Sequence, residues 1–261
     1  MEGDLWQAIF DGKVPAVKKI LGANPAINVN WRNLLRGQWT FLNTTCAFGH
    51  DTITAMLLAY PAIDVNLKTQ HGYTPFMSAC YNGQTRCARL LLKDSRIRDF
   101  NEARDDGYTP LQWMAYEGYP DIIEWWIASG REMDLGQQGN DKVDAVAIAR
   151  RYQAGIAALL QRFKENPAET RHEVRLRLGW YEEAAAEVLA LLVFVSDGLL
   201  RTRDGDGADT RAARFFRIAQ QLPLELQMVL GYRVVGSARE IVQGKDCEAA
   251  FMNLAVKCLH I

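Results

Sequence analysis

Residues Gly72–Asn101 read GYTPFMSACYNGQTRCARLLLKDSRIRDFN, and residues Gly107–Leu135 read GYTPLQWMAYEGYPDIIEWWIASGREMDL. At an offset of 35 residues Thr74 falls on Thr109, Pro75 on Pro110, Gly83 on Gly118 and Leu92 on Ile127. The same pattern extends backwards. Thr40–Asn66 places Gly49 34 residues before Gly83, and Leu5–Asn30 sets Gly12 on Gly49 and Ile27–Asn30 on Ile63–Asn66. A weaker fifth copy is Asp144–Phe163. Self-similarity at this period marks a repeat architecture.

Each copy reads as a turn, a short helix, a Gly break and a second apolar helix. Thr74 and Thr109 are placed to cap the first helix. Pro75 and Pro110 sit in its first turn, where a missing N–H costs nothing. Gly83 and Gly118 fall where the chain needs positive φ to leave that helix. Neither helix of a unit can bury its apolar face alone, so the units must stack.

The repeated GYTP, the mid-repeat Gly, the LLL or LLA stretch and the closing INVN or IDVN resemble the ankyrin repeat. The resemblance covers about residues 3–163. It departs from the family pattern where Met77 and Gln112 replace the usual His, where the second copy lacks the Pro, and where insertions lengthen several hairpins. The expected fold is all-α: a solenoid of about five ankyrin repeats over 1–163, followed by a helical C-terminal domain over 164–261.

The resemblance implies binding of a partner protein through the hairpin tips and the first-helix surface. The finger position before the capping Thr holds Trp39, Tyr73 and Tyr108, and the exposed end of the first helix holds Phe48, Tyr81, Tyr116 and Tyr152. Arg36, Gln70, His71, Asn82, Asp105, Asp106, Glu117 and Arg151 surround them. Rigid amphipathic rings supply contact area with few rotors to freeze, so this aromatic row is read as a protein-binding face. The competing reading is that a Tyr before Thr-Pro packs its ring along the neighbouring finger. In the fourth unit, the register puts Trp126 in the core and Trp125 on the convex side. There Trp125 should pack on a neighbouring element or be covered by Arg or Lys stems of its own helix.

The repeat period stops after Phe163. Asn166 and Pro167 signal a helix start, and helical patterns follow over Pro167–Leu178, Trp180–Leu200, Thr210–Gln221, Pro223–Val235 and Asp246–Leu259. The run after Ala184 is apolar almost all round, as for a buried central helix. Within Ile218–Val235, residues Leu222, Pro223, Glu225, Leu226, Val229 and Leu230 form a Leu-Pro start, an early acid and an apolar stripe. This resembles the opening of an F-box, with the segment running to about residue 259, and an F-box behind ankyrin repeats is similar to poxviral ankyrin proteins. That likeness implies a Skp-type adaptor as partner and a substrate receptor of a cullin-type ubiquitin ligase. Gly231-Tyr-Arg and Gly236 depart from the motif, and a plain helical cap with Pro at its start is the alternative.

Chemistry-bearing sets are sparse. The acidic stretch Asp204–Asp209 fails as a calcium loop, because its sixth and twelfth places are Asp209 and Phe215 rather than Gly and a bidentate carboxylate. His50, His71, His172 and His260 lack partners at metal-ligand spacing, and Cys46 and Cys80 share one apolar helix register, as core residues do. Gly205 and Gly207 have neither a preceding strand nor a following Lys to make a phosphate loop. Glu182, Glu183 and Glu187 near Arg171, His172 and Arg175 leave one enzymatic alternative in the C-terminal helices, against the simpler reading of a charged outer face. The favoured reading is a non-catalytic interaction protein without cofactor or metal.

Bulk composition agrees. Thirty Lys and Arg against 31 Asp and Glu give a net charge of −1, no basis for holding a phosphate backbone. The 49% hydrophobic content is that of a folded chain. Five scattered cysteines suit a reducing compartment. The longest apolar run, Val188–Val195, falls far short of the ~20 residues a membrane span needs. The expectation is an intracellular protein, cytoplasmic or nuclear.

Overall fold

The computed structural model describes residues 1–136, 144–196, 219, 224–235 and 250, the side chains of 194–196 and 224–226 excepted. The chain divides into two compact units, Met1–Val174 and Arg175–Ile261.

The first unit is a row of helix pairs: α1 (Glu2–Phe10) with α2 (Val14–Ala23), α3 (Phe41–Phe48) with α4 (Asp51–Leu58), α5 (Pro75–Tyr81) with α6 (Thr85–Lys93), α7 (Pro110–Glu117) with α8 (Pro120–Ser129), and α9 (Ala145–Tyr152) with α10 (Ala154–Glu165). The first helices of successive pairs pack on one another, and so do the second helices from α2 through α8. The first part of α11 (Pro167–Leu178) completes this unit. The fold is the mostly helical repeat solenoid that the period implied.

Local chemistry sets the starts of the first helices α3, α5, α7 and α9. Thr40, Thr74 and Thr109 each accept a hydrogen bond from the backbone N–H three residues on, at 3.1, 3.1 and 3.3 Å, and Asp144 does the same at 2.6 Å. At α7 the cap is reciprocal, because Gln112 Oε1 accepts from Thr109 N at 3.0 Å. Asn43 holds the place of the family's usual His and reaches the next repeat, donating to Tyr73 O at 3.1 Å. Gly83 and Gly118 take φ of +66° and +93°. A side chain at Gly83 would also collide with Tyr119 of the following repeat, its Cβ falling 2.6 Å from Cε1.

Two polar ladders join the repeats. The closing asparagines each bridge to the next loop: Asn30 donates to Ala62 O and accepts from Asp64 N, Asn66 donates to Arg96 O and accepts from Arg98 N, and Asn101 donates to Glu132 O and accepts from Asp134 N. The second ladder is cationic. Arg96 donates to Leu58 O (2.7 Å) and Tyr60 O (3.0 Å), Arg131 to Leu92 O (3.1 Å) and Asp94 O (3.0 Å), and Arg171 of α11 to Ile127 O (3.1 Å). Each guanidinium thus meets carbonyls at or just past the C-terminal end of the second helix of an earlier repeat, where a cation suits the helix dipole. Because α11 supplies the last of these, it serves the stack as a further repeat would. Asn166 caps it as expected, accepting from Glu169 N at 3.3 Å.

The apolar core follows the registers. Trp126 is fully buried against Phe76, edge to face at 5.1 Å. Trp125 packs on a neighbouring element, with the Arg89 guanidinium of α6 3.7 Å from its ring centroid. Cys46 and Cys80 are wholly buried, and burial pushes both thiols well above the ordinary range.

In the second unit α12 (Trp180–Ser196) packs against α13 (Leu224–Val234). The core holds Ala185, Ala186, Leu189, Ala190, Tyr232 and Ala250. Val188 and Leu191 are only half-buried, so α12 buries one face rather than its whole circumference. Gly231 does not break its helix. It permits close packing, since a Cβ there would sit 3.0 Å from Ala185 O. The acidic stretch 204–209, nearly all of the expected helices over 210–221 and 246–259, and Leu222 and Pro223 lie outside the described residues.

Candidate functional site

The fingers are built before the face can be. In the second and third fingers, turns close through Thr69 N to Tyr73 O and Arg104 N to Tyr108 O, both 3.0 Å. The first finger is longer, a hairpin of β1 (Arg32–Asn33) and β2 (Trp39–Thr40) paired antiparallel around a 3-10 turn, Leu34–Arg36. Asn33 Oδ1 accepts from Leu35 N at 3.1 Å, and Gln38 takes a positive φ of 58° beside Gly37. Adjacent fingers are tied by Gln70 N donating to Gly37 O at 2.8 Å.

Along the C-terminal ends of the first helices runs a row of rings. Trp6 stacks on Phe10 at 5.1 Å, and Phe10 meets Phe48 edge-on at 4.8 Å. Further along, Tyr73 meets Tyr81 at 5.3 Å, Tyr81 stacks on Trp113 at 4.2 Å, Trp113 leads to Tyr116 at 5.9 Å, and Tyr116 meets Tyr152 at 4.8 Å. Phe48, Tyr116 and Tyr152 leave 48%, 46% and 48% of their surface open. Trp39, Tyr73, Tyr81, Tyr108 and Asp106 are half-buried, whereas Arg36, Gln70, His71, Asn82, Asp105, Glu117 and Arg151 are exposed.

Arg104 organises the middle of this row. Its guanidinium lies 5.0 Å from the Tyr73 ring and 5.8 Å from those of Tyr81 and Trp113, donates to the Tyr73 hydroxyl, and pairs with Asp106. The finger tyrosine and Tyr81 are therefore used partly inside the chain, while Phe48, Tyr116 and Tyr152 at the helix ends stay about half open. Burial raises the Tyr73 phenol pKa, with Arg104 pulling the other way. Trp6, Phe10, Trp113 and Arg104 are members that the sequence reading missed. Trp113 sits at a half-buried helix position, and its signal was the indole placed one turn before Tyr116.

Glu225 and Leu226 lie on α13 with undescribed side chains, and Val229 and Leu230 of the same helix are half-buried. His172 belongs to the first unit and Glu183 to the second. Among the described residues no group of three His, Cys, Asp or Glu could hold a metal ion, and no helix is long and apolar enough to cross a membrane.

Over 116 residues the chain is 33% identical to the SMC5-SMC6 complex localization factor protein 1 of Bos taurus, covering 44% of this chain and 11% of that protein. It is 36% identical over 78 residues to Cortactin-binding protein 2 of Rattus norvegicus, covering 30% and 4%. It is 30% identical over 124 residues to a protein of Oryza sativa subsp. japonica named probable E3 ubiquitin-protein ligase XBOS31, covering 47% and 27%. The chain thus spans about a tenth or less of the first two and about a quarter of the third. The family model described as ankyrin repeats (3 copies) matches residues 5–101 and 46–138, together just over half of the 261 residues. With capped helix pairs, mid-repeat glycines and bridging asparagines all in register, the chain belongs to the ankyrin-repeat family.

Proposed function

We propose that the protein is a non-catalytic interaction module that holds a partner protein on its concave ankyrin face. What supports this reading is one observation: Phe48, Tyr116 and Tyr152 stand about half open at the ends of the first helices α3, α7 and α9, on a stack that fixes their spacing. Anchors held rigid before binding lose little entropy on association. Affinity capture from native cells tests it, comparing wild type with Tyr116→Ala combined with Tyr152→Ala. The reading expects one partner to fall about tenfold or more in yield. Unchanged recovery would count against it.

A second reading has support from the rice relative's name and from the Leu222-to-Leu230 pattern. In it the repeats hold a target while α13 recruits a Skp-type adaptor of a cullin-type ligase. Pulldown with that adaptor, wild type against Leu226→Asp combined with Leu230→Asp, tests this. Capture lost in the variant supports it, and absent or equal capture sinks it.

A further inference from the structure

The first-repeat end of the face differs from its middle in charge. Arg104 is neutralised by Asp106, but no carboxylate among the described residues pairs with Arg36, which is exposed. Its guanidinium lies over the Trp6 and Phe10 rings at 5.3 and 5.6 Å. A guanidinium that rests on aromatic rings and has no carboxylate partner keeps N–H donors available for one. The nearby acid at the end of α1, Asp11, is already taken by Lys13 and Gln7, both at 2.8 Å.

Beneath Arg36, Trp6 is 7% exposed and its Nε1 is buried with no hydrogen-bond partner. Beside Arg36 on the fingertip, Leu34 and Leu35 are 76% and 98% exposed, on a hairpin pinned by Asn33 and Gln38. Two leucines held open on a fixed turn are an anchor without a pocket in this chain.

Resting on the protein-binding reading above, we infer that this end of the face takes an acidic segment of a partner that also carries a large apolar side chain. The partner's carboxylate would meet the Arg36 guanidinium above the Trp6 ring, and its apolar side chain would pack between the Leu34–Leu35 tip and the open Phe48 ring. Charge complementarity selects this occupant over a basic one, because the two arginines of the finger, Arg32 and Arg36, both lack an acidic partner among the described residues.

The test uses the full chain and capped, labelled peptides EEFLEE, KKFLKK and EEAAEE in fluorescence anisotropy, with the Trp6 indole resonance followed by NMR. EEFLEE should bind about tenfold or more tightly than either other peptide, and should move the Trp6 indole signal. Arg36→Glu and Leu35→Asp, both at exposed sites that leave the fold intact, should each weaken it about tenfold, and Lys19→Glu on the outer helix should not. Equal affinity for EEFLEE and KKFLKK, wild-type binding by both finger variants, or no binding at millimolar peptide overturns the inference. Self-association of the chain through Leu34 and Leu35, seen by sedimentation, overturns it too. A chain that still captures its partner through Tyr116 and Tyr152 but fails these tests loses this inference and keeps the broader reading.

Discussion

Arg131 holds the end of the preceding repeat's second helix: its Nε lies 3.1 Å from Leu92 O, and its Nη2 reaches Asp94 O at 3.0 Å. The same guanidinium lies over the Phe100 ring at 5.3 Å, so one side chain joins a helix end, a loop and the core. Truncation to Ala strips both partly buried carbonyls of their partner and is expected to cost about 1–3 kcal/mol. Arg131→Lys, a point charge without the planar fork, should recover only part of that. Urea unfolding measures both, and a loss equal to that of an exposed surface arginine contradicts the assignment.

Asn66 carries the second ladder, donating to Arg96 O at 3.0 Å and accepting from Arg98 N at 3.2 Å. Asn66→Ala leaves one carbonyl and one amide to water and should cost about 1–2 kcal/mol. Hydrogen exchange at the Arg98 amide should quicken more than at amides of α8.

Gly83 faces two constraints, its φ of +66° and the Tyr119 ring. Gly83→Ala should destabilise by about 1–2 kcal/mol from backbone strain alone, plus the clash. Adding Tyr119→Ala relieves the clash but not the strain. A double variant restored to the stability of Tyr119→Ala would contradict this division.

These ladders show what could be read along the chain and what could not. Thr74, Pro75 and Gly83 were legible because each acts within a few residues of itself, through a cap, a fixed φ or a tight exit. The period then fixed which faces stack. Arg96, Arg131 and Arg171 were not, because they act across 36–44 residues at spacings that drift from repeat to repeat. Trp6 and Trp113 escaped for a related reason. They lie a turn before the aromatic position at the helix end, and only the stack brings them into one row. Tyr73 was legible as a finger residue, but its engagement by Arg104 depended on the next finger.

Asp94 gives a pH prediction. Burial pushes its carboxyl up, but hydrogen bonds and the charge of Arg96 outweigh burial and hold it below the usual range. A carboxyl lowered in the folded state stabilises above its unfolded value, about 3.9, and that contribution is lost as pH falls through the folded value. Acid titration of stability should therefore steepen below about pH 4, and Asp94→Asn should flatten that limb. Matching acid limbs in variant and wild type contradict it.

The proposed function puts a partner protein on the row of rings at the first-helix ends. Hydrogen–deuterium exchange of the chain with and without its captured partner tests this most directly. The account predicts new protection over the fingers and first-helix ends, around Phe48, Tyr81, Tyr116 and Tyr152, with the outer helices α4, α6 and α8 unchanged. Protection confined to those outer helices or to the second unit, with the aromatic row exchanging as before, would contradict it.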